Sequence, residues 1–269
     1  MTARRSCLLA TIIFLMAAPV GDAQDKNQDK VQDKAARLTF EVATIRLSKQ
    51  TDFNGGIKAL PGGNGYTAQN IPVKLMISLM YRVPMRQISG GPEWLNSDRY
   101  NVEAKTDGSY SIDDLHLMYQ NLLADRFNLK FHIERKEGPV YALLLDTPGS
   151  KMKVNEGPQD YKIPMNFNPE GAVGVRVPMP YFCWWLGQQL QNNGRPVVDL
   201  TGLKQNYDFT LTYRPERPPD ASLDNLPPEI RDRPSLFDAL KQQLGLKLQP
   251  QKGRIDYYVI DHIDRPSDN

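Results

Sequence analysis

Residues 100–104 read YNVEA, and residues 207–211 read YDFTL. Both stretches alternate apolar and polar residues, the pattern of a strand with one buried face. After the first stretch, Ser111 and Asp114 have the spacing of a capping box, which predicts that a helix begins there. After the second stretch, Ser235 is predicted to begin another helix. A strand followed by a helix therefore occurs twice in the chain.

The recurring pattern extends beyond these two strands. Residues 128–131 (NLKF) match residues 245–248 (GLKL). Each of these stretches follows its strand, residues 100–104 or 207–211, so the matches occur in the same order in both halves. A Pro-rich insertion at residues 214–233 accounts for the longer spacing between the second pair of matches. We therefore predict an internal duplication. Two unrelated units that share short patterns by chance are the alternative.

Each half is predicted to follow the order β-α-β-β-α-β-β. This order makes an α+β protein of two tandem units, with small mixed sheets and helices packed on them. The last two strands of each half are expected to form a hairpin. Gly and Pro within residues 136–139 supply the first turn, and Lys252 with Gly253 supplies the second.

The N-terminus is predicted to be an export signal. Residues 1–23 place Arg4 and Arg5 before an apolar run and end on small residues, as a signal peptide does. Residues 24–37 repeat the triplet QDK and are expected to form a polar flexible tether. We therefore expect an exported protein, periplasmic or extracellular, with no transmembrane span once the signal is cleaved. A signal that is retained as a membrane anchor is the alternative.

The remaining chain is predicted to divide into a first α+β unit, a linker and a second α+β unit, at residues 38–147, 148–171 and 172–269. Hydrophobic residues make up 40% of the sequence, which excludes a disordered chain. The 33 basic and 31 acidic residues leave a net charge of +2, too small for a strongly basic nucleic-acid binder. Cys183 is alone after signal cleavage, so the mature chain is predicted to lack an internal disulfide.

The sequence predicts no catalytic residues, no metal site and no cofactor. None of the three histidines has a metal-ligand spacing, and Ser89 lacks the Gly-x-Ser-x-Gly context of a nucleophile. Cys183 lies among aromatic residues, which favours an inert buried thiol. A hydrolase remains the alternative if dispersed carboxylates meet in one cleft. The candidates for that role are Asp98, Glu103, Asp199 and Asp208.

The candidate binding residues are aromatic side chains and the glycines of one turn: Trp94, Tyr181, Trp184, Trp185, Gly90 and Gly91. Trp184 and Trp185 are adjacent on a predicted helix, and a wide apolar helix face that buries both is the expectation. The alternative is that only one is buried, because adjacent residues on a helix point about 100° apart. A partly exposed tryptophan would be a candidate interface anchor. A small-ligand or glycan site between the two halves, lined by tryptophans, is a further possibility.

Five motifs together resemble a known family: residues 40–45 (FEVATI), 88–95 (ISGGPEWL), 122–127 (LLADRF), 195–203 (RPVVDLTGL) and 207–211. The chain resembles the soil-associated paralogous family of acidobacteria, whose function is unknown. Some relatives are fused to membrane metallopeptidases of the antibiotic-sensor type, which implies a sensing or envelope context.

Each half is also similar in element order to the short N-terminal domain of secretins and TonB receptors. Gly245 fits the helix end of that domain, and Asn128 stands in for it in the first half. Such domains bind protein partners in the periplasm. We therefore expect a non-enzymatic interaction or sensor module of the cell envelope, with an envelope protein as its unidentified partner and no nucleic-acid partner.

Overall fold

The computed structural model describes residues 37–50, 54–168, 171–190, 194–214 and 226–267, with backbone only for residues 167 and 168. The predicted signal peptide, nearly all of the predicted tether and most of the Pro-rich insertion lie outside the described residues. From Leu38 onward the chain belongs to one compact unit. In the described residues, no helix has both the length and the apolar character needed to cross a membrane.

The first half is a four-stranded antiparallel sheet with two helices packed on it. In chain order the first half supplies β1 (Val42–Leu47), β2 (Gly56–Ala59), β3 (Gly65–Pro72), α1 (Val73–Met80), β4 (Ile88–Gly90), α2 (Trp94–Ser97), β5 (Arg99–Lys105), α3 (Ile112–Arg126) and β6 (Lys130–Leu145). Its sheet has the order β1-β5-β3-β2, and its core includes Met76, Leu115 and Tyr119.

The second half also has a four-stranded sheet, around its own core of Phe182, Trp185 and Leu240. In chain order the second half supplies β7 (Lys153–Val154), β8 (Met165–Asn168), β9 (Gly171–Pro178), α4 (Met179–Gln189), β10 (Val197–Asp199), β11 (Asn206–Leu211), α5 (Pro228–Arg231), α6 (Leu236–Ala239) and β12 (Leu246–His262). Its sheet order, β7-β11-β9-β8, corresponds to that of the first half. Strands β7 and β8 fall within the predicted linker, so part of that segment belongs to the sheet.

A third sheet joins the halves, and it corrects the two predicted hairpins, which are wrong. Strands β6 and β12 are each continuous and pair antiparallel along nearly their whole length, from Leu145 opposite Leu246 to Lys130 opposite His262. We call this pair the central ribbon. Strand β4 adds to β12, and β10 adds to β6, both in parallel. Each of these short strands therefore pairs with a long strand from the other half.

The predicted turn residues lie instead in the middle of the ribbon. Gly138 is directly opposite Gly253. A Cβ on Gly138 would come within 2.8 Å of Ile255, and one on Gly253 within 2.8 Å of Val140. These glycines therefore leave room for a branched side chain of the facing strand rather than reversing the chain.

The central ribbon contributes to both cores. Phe131 and Ile260 pack in the core of the first half, whereas Tyr141, Leu143 and Leu246 pack in the core of the second. One end of β6, which belongs to the first half, packs in the core of the second half. One end of β12, which belongs to the second half, packs in the core of the first half. The two halves are interlocked.

Two matching β-bulges support the element correspondence between the halves. Asn70 in β3 and Arg176 in β9 both adopt φ 53°, a conformation unusual for residues other than Gly. The amide of Asn70 donates to Asn101 Oδ1, and the amide of Arg176 donates to Asp208 Oδ1, each at 2.8 Å. Asn101 and Asp208 are the second residues of the two matching sequence stretches, residues 100–104 and 207–211. The common origin of the halves stays a prediction.

The local helix signals are confirmed. Ser111 accepts from the amide of Asp114 and caps α3, and Ser235 does the same with Asp238 at α6. Helix α6 continues into a π-helical turn that ends at Gly245, where φ is 69°. Asn128 takes the corresponding left-handed conformation after α3, with φ 50°.

Gly253→Ala should destabilise the protein by about 1–3 kcal/mol, because the new methyl group meets the stiff, fully buried Val140. Gly138→Ala should cost less, since it meets only the terminal methyl of Ile255. Urea denaturation of both variants measures this order. Gly56→Ala is the matched control, because nothing lies within 4 Å of its Cβ position. Equal stability of Gly253→Ala and Gly56→Ala would contradict the close packing at the ribbon centre.

Candidate functional site

A groove with a volume of about 520 Å³ lies where the two halves meet the central ribbon. We call it the central groove. Its first wall is the turn after α1, residues 81–84 with Gln87. Its second wall combines one side of α4 with residues 196–199, and the ribbon supplies the remaining lining. The volume falls in the range of small-molecule sites.

Charged side chains dominate the part of the groove formed by the ribbon. Arg135 of β6 and Asp256 of β12 are direct neighbours across the ladder, and their side chains form an ion pair at 3.3 Å. Arg254 and Tyr258 flank Asp256 on the same face, as the two-residue period of a strand requires. Arg135, Arg254 and Asp256 are all exposed, so water screens their charges.

The second wall is the face of α4 that carries Pro180, Cys183, Trp184 and Gly187. The Trp184 ring lies 5.4 Å from that of Tyr181. In the described part of the chain, the buried Trp184 Nε1 has no hydrogen-bond partner. An indole N–H usually finds an acceptor when it is buried. Trp184 therefore places an unused donor beside the groove.

The first wall holds two further unpaired polar atoms. Gln87 is 8% exposed, and its Nε2 donates to the carbonyl of Asp256 at 2.8 Å. That bond fixes the amide orientation and leaves Oε1 without a partner among the described residues. Arg82 pairs with Asp113, and its guanidinium lies over the Tyr181 ring, 5.2 Å from the ring centre. The Nε atom of Arg82 has no hydrogen-bond partner among the described residues.

Behind Arg82 lies a buried polar network that ties the groove to the first core. His116 Nε2 lies 3.0 Å from the hydroxyl of Tyr66, and its Nδ1 lies 3.5 Å from Arg82 Nη2. Burial, together with the charge of Arg82, lowers the pKa of His116 to about 4, against an opposing effect of Asp113. The ring is therefore neutral at pH 7. Arg82 donates to Nδ1, so Nε2 carries the proton and donates to Tyr66.

The thiol of Cys183 is not an activated nucleophile. Its side chain is 5% exposed, and burial followed by the charge of Asp199 raises its pKa above the usual range. Thiol reactivity requires the thiolate. Among the described residues, no group of three or more His, Cys, Asp or Glu side chains could hold a metal ion.

The structure separates the six candidate binding residues. Trp184 lines the central groove, and Tyr181 lies directly behind it. Trp185 is 1% exposed and stacks on Phe182 at 5.8 Å, so it belongs to the core. Trp94 lies outside the groove, with the guanidinium of Arg265 over its ring at 5.1 Å.

Gly90 and Gly91 end the short strand β4, with φ 74° and 72°. A Cβ on Gly90 would lie 2.8 Å from the carbonyl oxygen of Ile260. These glycines therefore let β4 approach β12 closely and turn away from it. The sequence does not predict Arg82 and Gln87 as site residues. No local motif marks them, because their importance comes from burial and from contacts with distant segments.

The four dispersed carboxylates do not share a cleft. Asp98 pairs with Arg265 at 2.8 Å, and Asp199 accepts from the amide and hydroxyl of Thr201. Asp208 holds the bulge at Arg176 and also accepts from Asn155. Glu103 lines a separate depression on the first sheet, and only Asp199 borders the central groove. Asp98, Asp199 and Asp208 therefore have structural roles.

Comparison with known proteins identifies the family. A family model described as a protein of unknown function (DUF3738) matches residues 74–263, which is well over half of the chain. The chain belongs to this family of uncharacterised proteins. The matched region runs from α1 to the end of β12 and contains every residue that lines the central groove. No curated protein and no solved structure shows significant similarity to the chain.

The buried His116 should make stability depend on pH. Its pKa in the folded protein is about 4, below the usual 6.5, so the unfolded chain takes up the proton first as the pH falls. The free energy of unfolding should therefore decrease by up to about 3 kcal/mol between pH 6.5 and 4. Urea denaturation of the wild type and of His116→Gln across this range measures the difference.

An NMR titration of the His116 ring protons provides the control, because it reports the folded-state pKa directly. A midpoint near 6.5, or the same pH dependence of stability in His116→Gln, would contradict a neutral buried imidazole.

Proposed function

We propose that this chain is a non-enzymatic sensor module of the cell envelope and that it binds a small ligand in the central groove. The observation that carries the proposal is the set of unpaired polar atoms at its walls. Arg82 Nε, Gln87 Oε1 and Trp184 Nε1 are buried without a hydrogen-bond partner in the described structure. A buried polar group without a partner costs free energy, and a bound ligand would remove that cost.

The position of the groove fits a sensor. One wall belongs to the first half and the other to the second, while the ribbon that both halves share lies between them. A ligand held between Arg82 and Trp184 would contact both halves at once. Binding would therefore stabilise one arrangement of the two halves relative to others, which is how a ligand shifts a conformational equilibrium.

The envelope setting is supported by the predicted signal peptide at residues 1–23 and by the resemblance to periplasmic partner-binding domains. A sensor there passes its signal to an envelope protein, the partner predicted from the sequence. The dispersed carboxylates do not favour a hydrolase, because Asp98, Glu103, Asp199 and Asp208 are occupied or lie apart. Binding is the activity that the groove supports best.

Gly187 allows the groove to be tested. A Cβ added to Gly187 would have the backbone nitrogen of Val197 as its nearest neighbour, at 3.9 Å, so Gly187→Ala should fit. The substitution should raise the free energy of unfolding by up to about 1 kcal/mol, because Ala favours a helix more than Gly does. Gly187→Phe should fold but fill the groove. Amide NMR spectra recorded with a library of sugars, sugar acids, amino acids and short peptides report binding at residues 81–87 and 180–187.

We expect at least one compound to shift these amides in the wild type and in Gly187→Ala, and to lose its effect in folded Gly187→Phe. If no compound perturbs the groove of the folded wild type, or if Gly187→Phe binds as well as Gly187→Ala, the groove is not the recognition site.

A further inference from the structure

We infer that the ligand of the central groove is a small hydroxylated carboxylate, such as a sugar acid. The inference rests on the proposed function and adds the chemistry of the ligand to it. Three features of the groove carry it: the cation of Arg254, unused N–H donors on Arg82 and Trp184 that pack on one aromatic ring, and an unused acceptor on Gln87.

Arg254 is the residue of the groove that favours an anion. Arg82 and Arg135 also line the groove, but Arg82 pairs with Asp113 and Arg135 pairs with Asp256. Asp199 accepts from Thr201 through Oδ1. Arg254 makes no ion pair within the described part of the chain. A carboxylate is the simplest ligand group that pairs with this cation, since guanidinium and carboxylate match in geometry.

The two unused donors lie on side chains that pack on the same ring. The Arg82 guanidinium is 5.2 Å from the centre of Tyr181, and the Trp184 ring is 5.4 Å from it. Both donor atoms are buried, so the side chains of Arg82 and Trp184 would have to shift for a ligand oxygen to accept from either of them. A carboxylate or carbonyl oxygen accepts two such bonds.

The unused acceptor requires a donor on the same ligand. Gln87 Oε1 cannot exchange places with its amide nitrogen, because Nε2 is held by the carbonyl of Asp256. A carboxylate without hydroxyl or amide hydrogens would leave Gln87 Oε1 unpaired. Hydroxyl groups supply the donor, and the rings of Tyr81, Trp184 and Tyr258 supply apolar surface for a ring-shaped ligand. A hydroxylated carboxylate satisfies all three features.

Calorimetric titration of the full mature protein with glucuronate, glucose, glucuronate methyl ester and glucose 6-phosphate tests the inference. Glucuronate should bind at least about tenfold more tightly than glucose or the ester, the effect of one charge-assisted interaction. Arg254→Gln should remove that preference. Lys252→Gln is the matched control, because it removes a cation from the same strand that does not line the groove. Its affinity should stay within about twofold of the wild type.

Trp184→Phe removes the indole N–H but keeps an aromatic face, so it should weaken glucuronate binding about tenfold. Trp94 and Trp185 remain in this variant, and their fluorescence reports whether it folds. Equal or tighter binding of glucose or the ester would overturn the carboxylate, and tighter binding of glucose 6-phosphate would replace it with a phosphate. In both cases the groove would remain the recognition site. If none of the four binds while another library compound shifts the groove amides, only this inference fails. If nothing shifts them, the proposed function fails as well.

Discussion

The antiparallel pairing of β6 with β12 is the interaction on which the rest of the structure depends. One ladder runs from Lys130 to Leu145 and carries residues of both hydrophobic cores on its two strands. The short strands β4 and β10 each find their only described neighbour in the long strand of the other half. Neither half therefore contains all the strands that complete its own core. The central groove is a consequence, because it forms where two interlocked halves meet one shared ribbon.

The sequence predicts the parts of the fold that local chemistry determines. The strands at residues 100–104 and 207–211, the cap at Ser111 and the left-handed helix end at Gly245 all depend on neighbours a few residues away. The α+β class follows from them. The hairpins are wrong because Gly138 and Gly253 carry the same signal for a turn as for close packing inside a ladder. The pairing of β6 with β12 joins residues more than a hundred positions apart, and no local pattern contains that information.

The candidate site shows the same division. Trp184 lines the groove, but the sequence does not decide which of the two adjacent tryptophans does so. Trp185, one residue later, faces the core instead, as the helical rotation requires. Arg82 and Gln87 have no sequence signature. Their role comes from the network with Asp113 and His116 and from the hydrogen bond to the Asp256 carbonyl, which exist only once distant segments have met.

Function and architecture are connected through the ribbon, since a ligand in the groove would lie against both halves and the strands they share. The account requires that the ribbon and both cores open together. Native-state hydrogen exchange measures this directly. The slowest amides of β6, β12, α3 and α4 should exchange with one common free energy, equal to that of global unfolding. If the amides of one half exchange at a markedly lower free energy than those of the other, the halves are separable units and the interlocked ribbon does not hold them together.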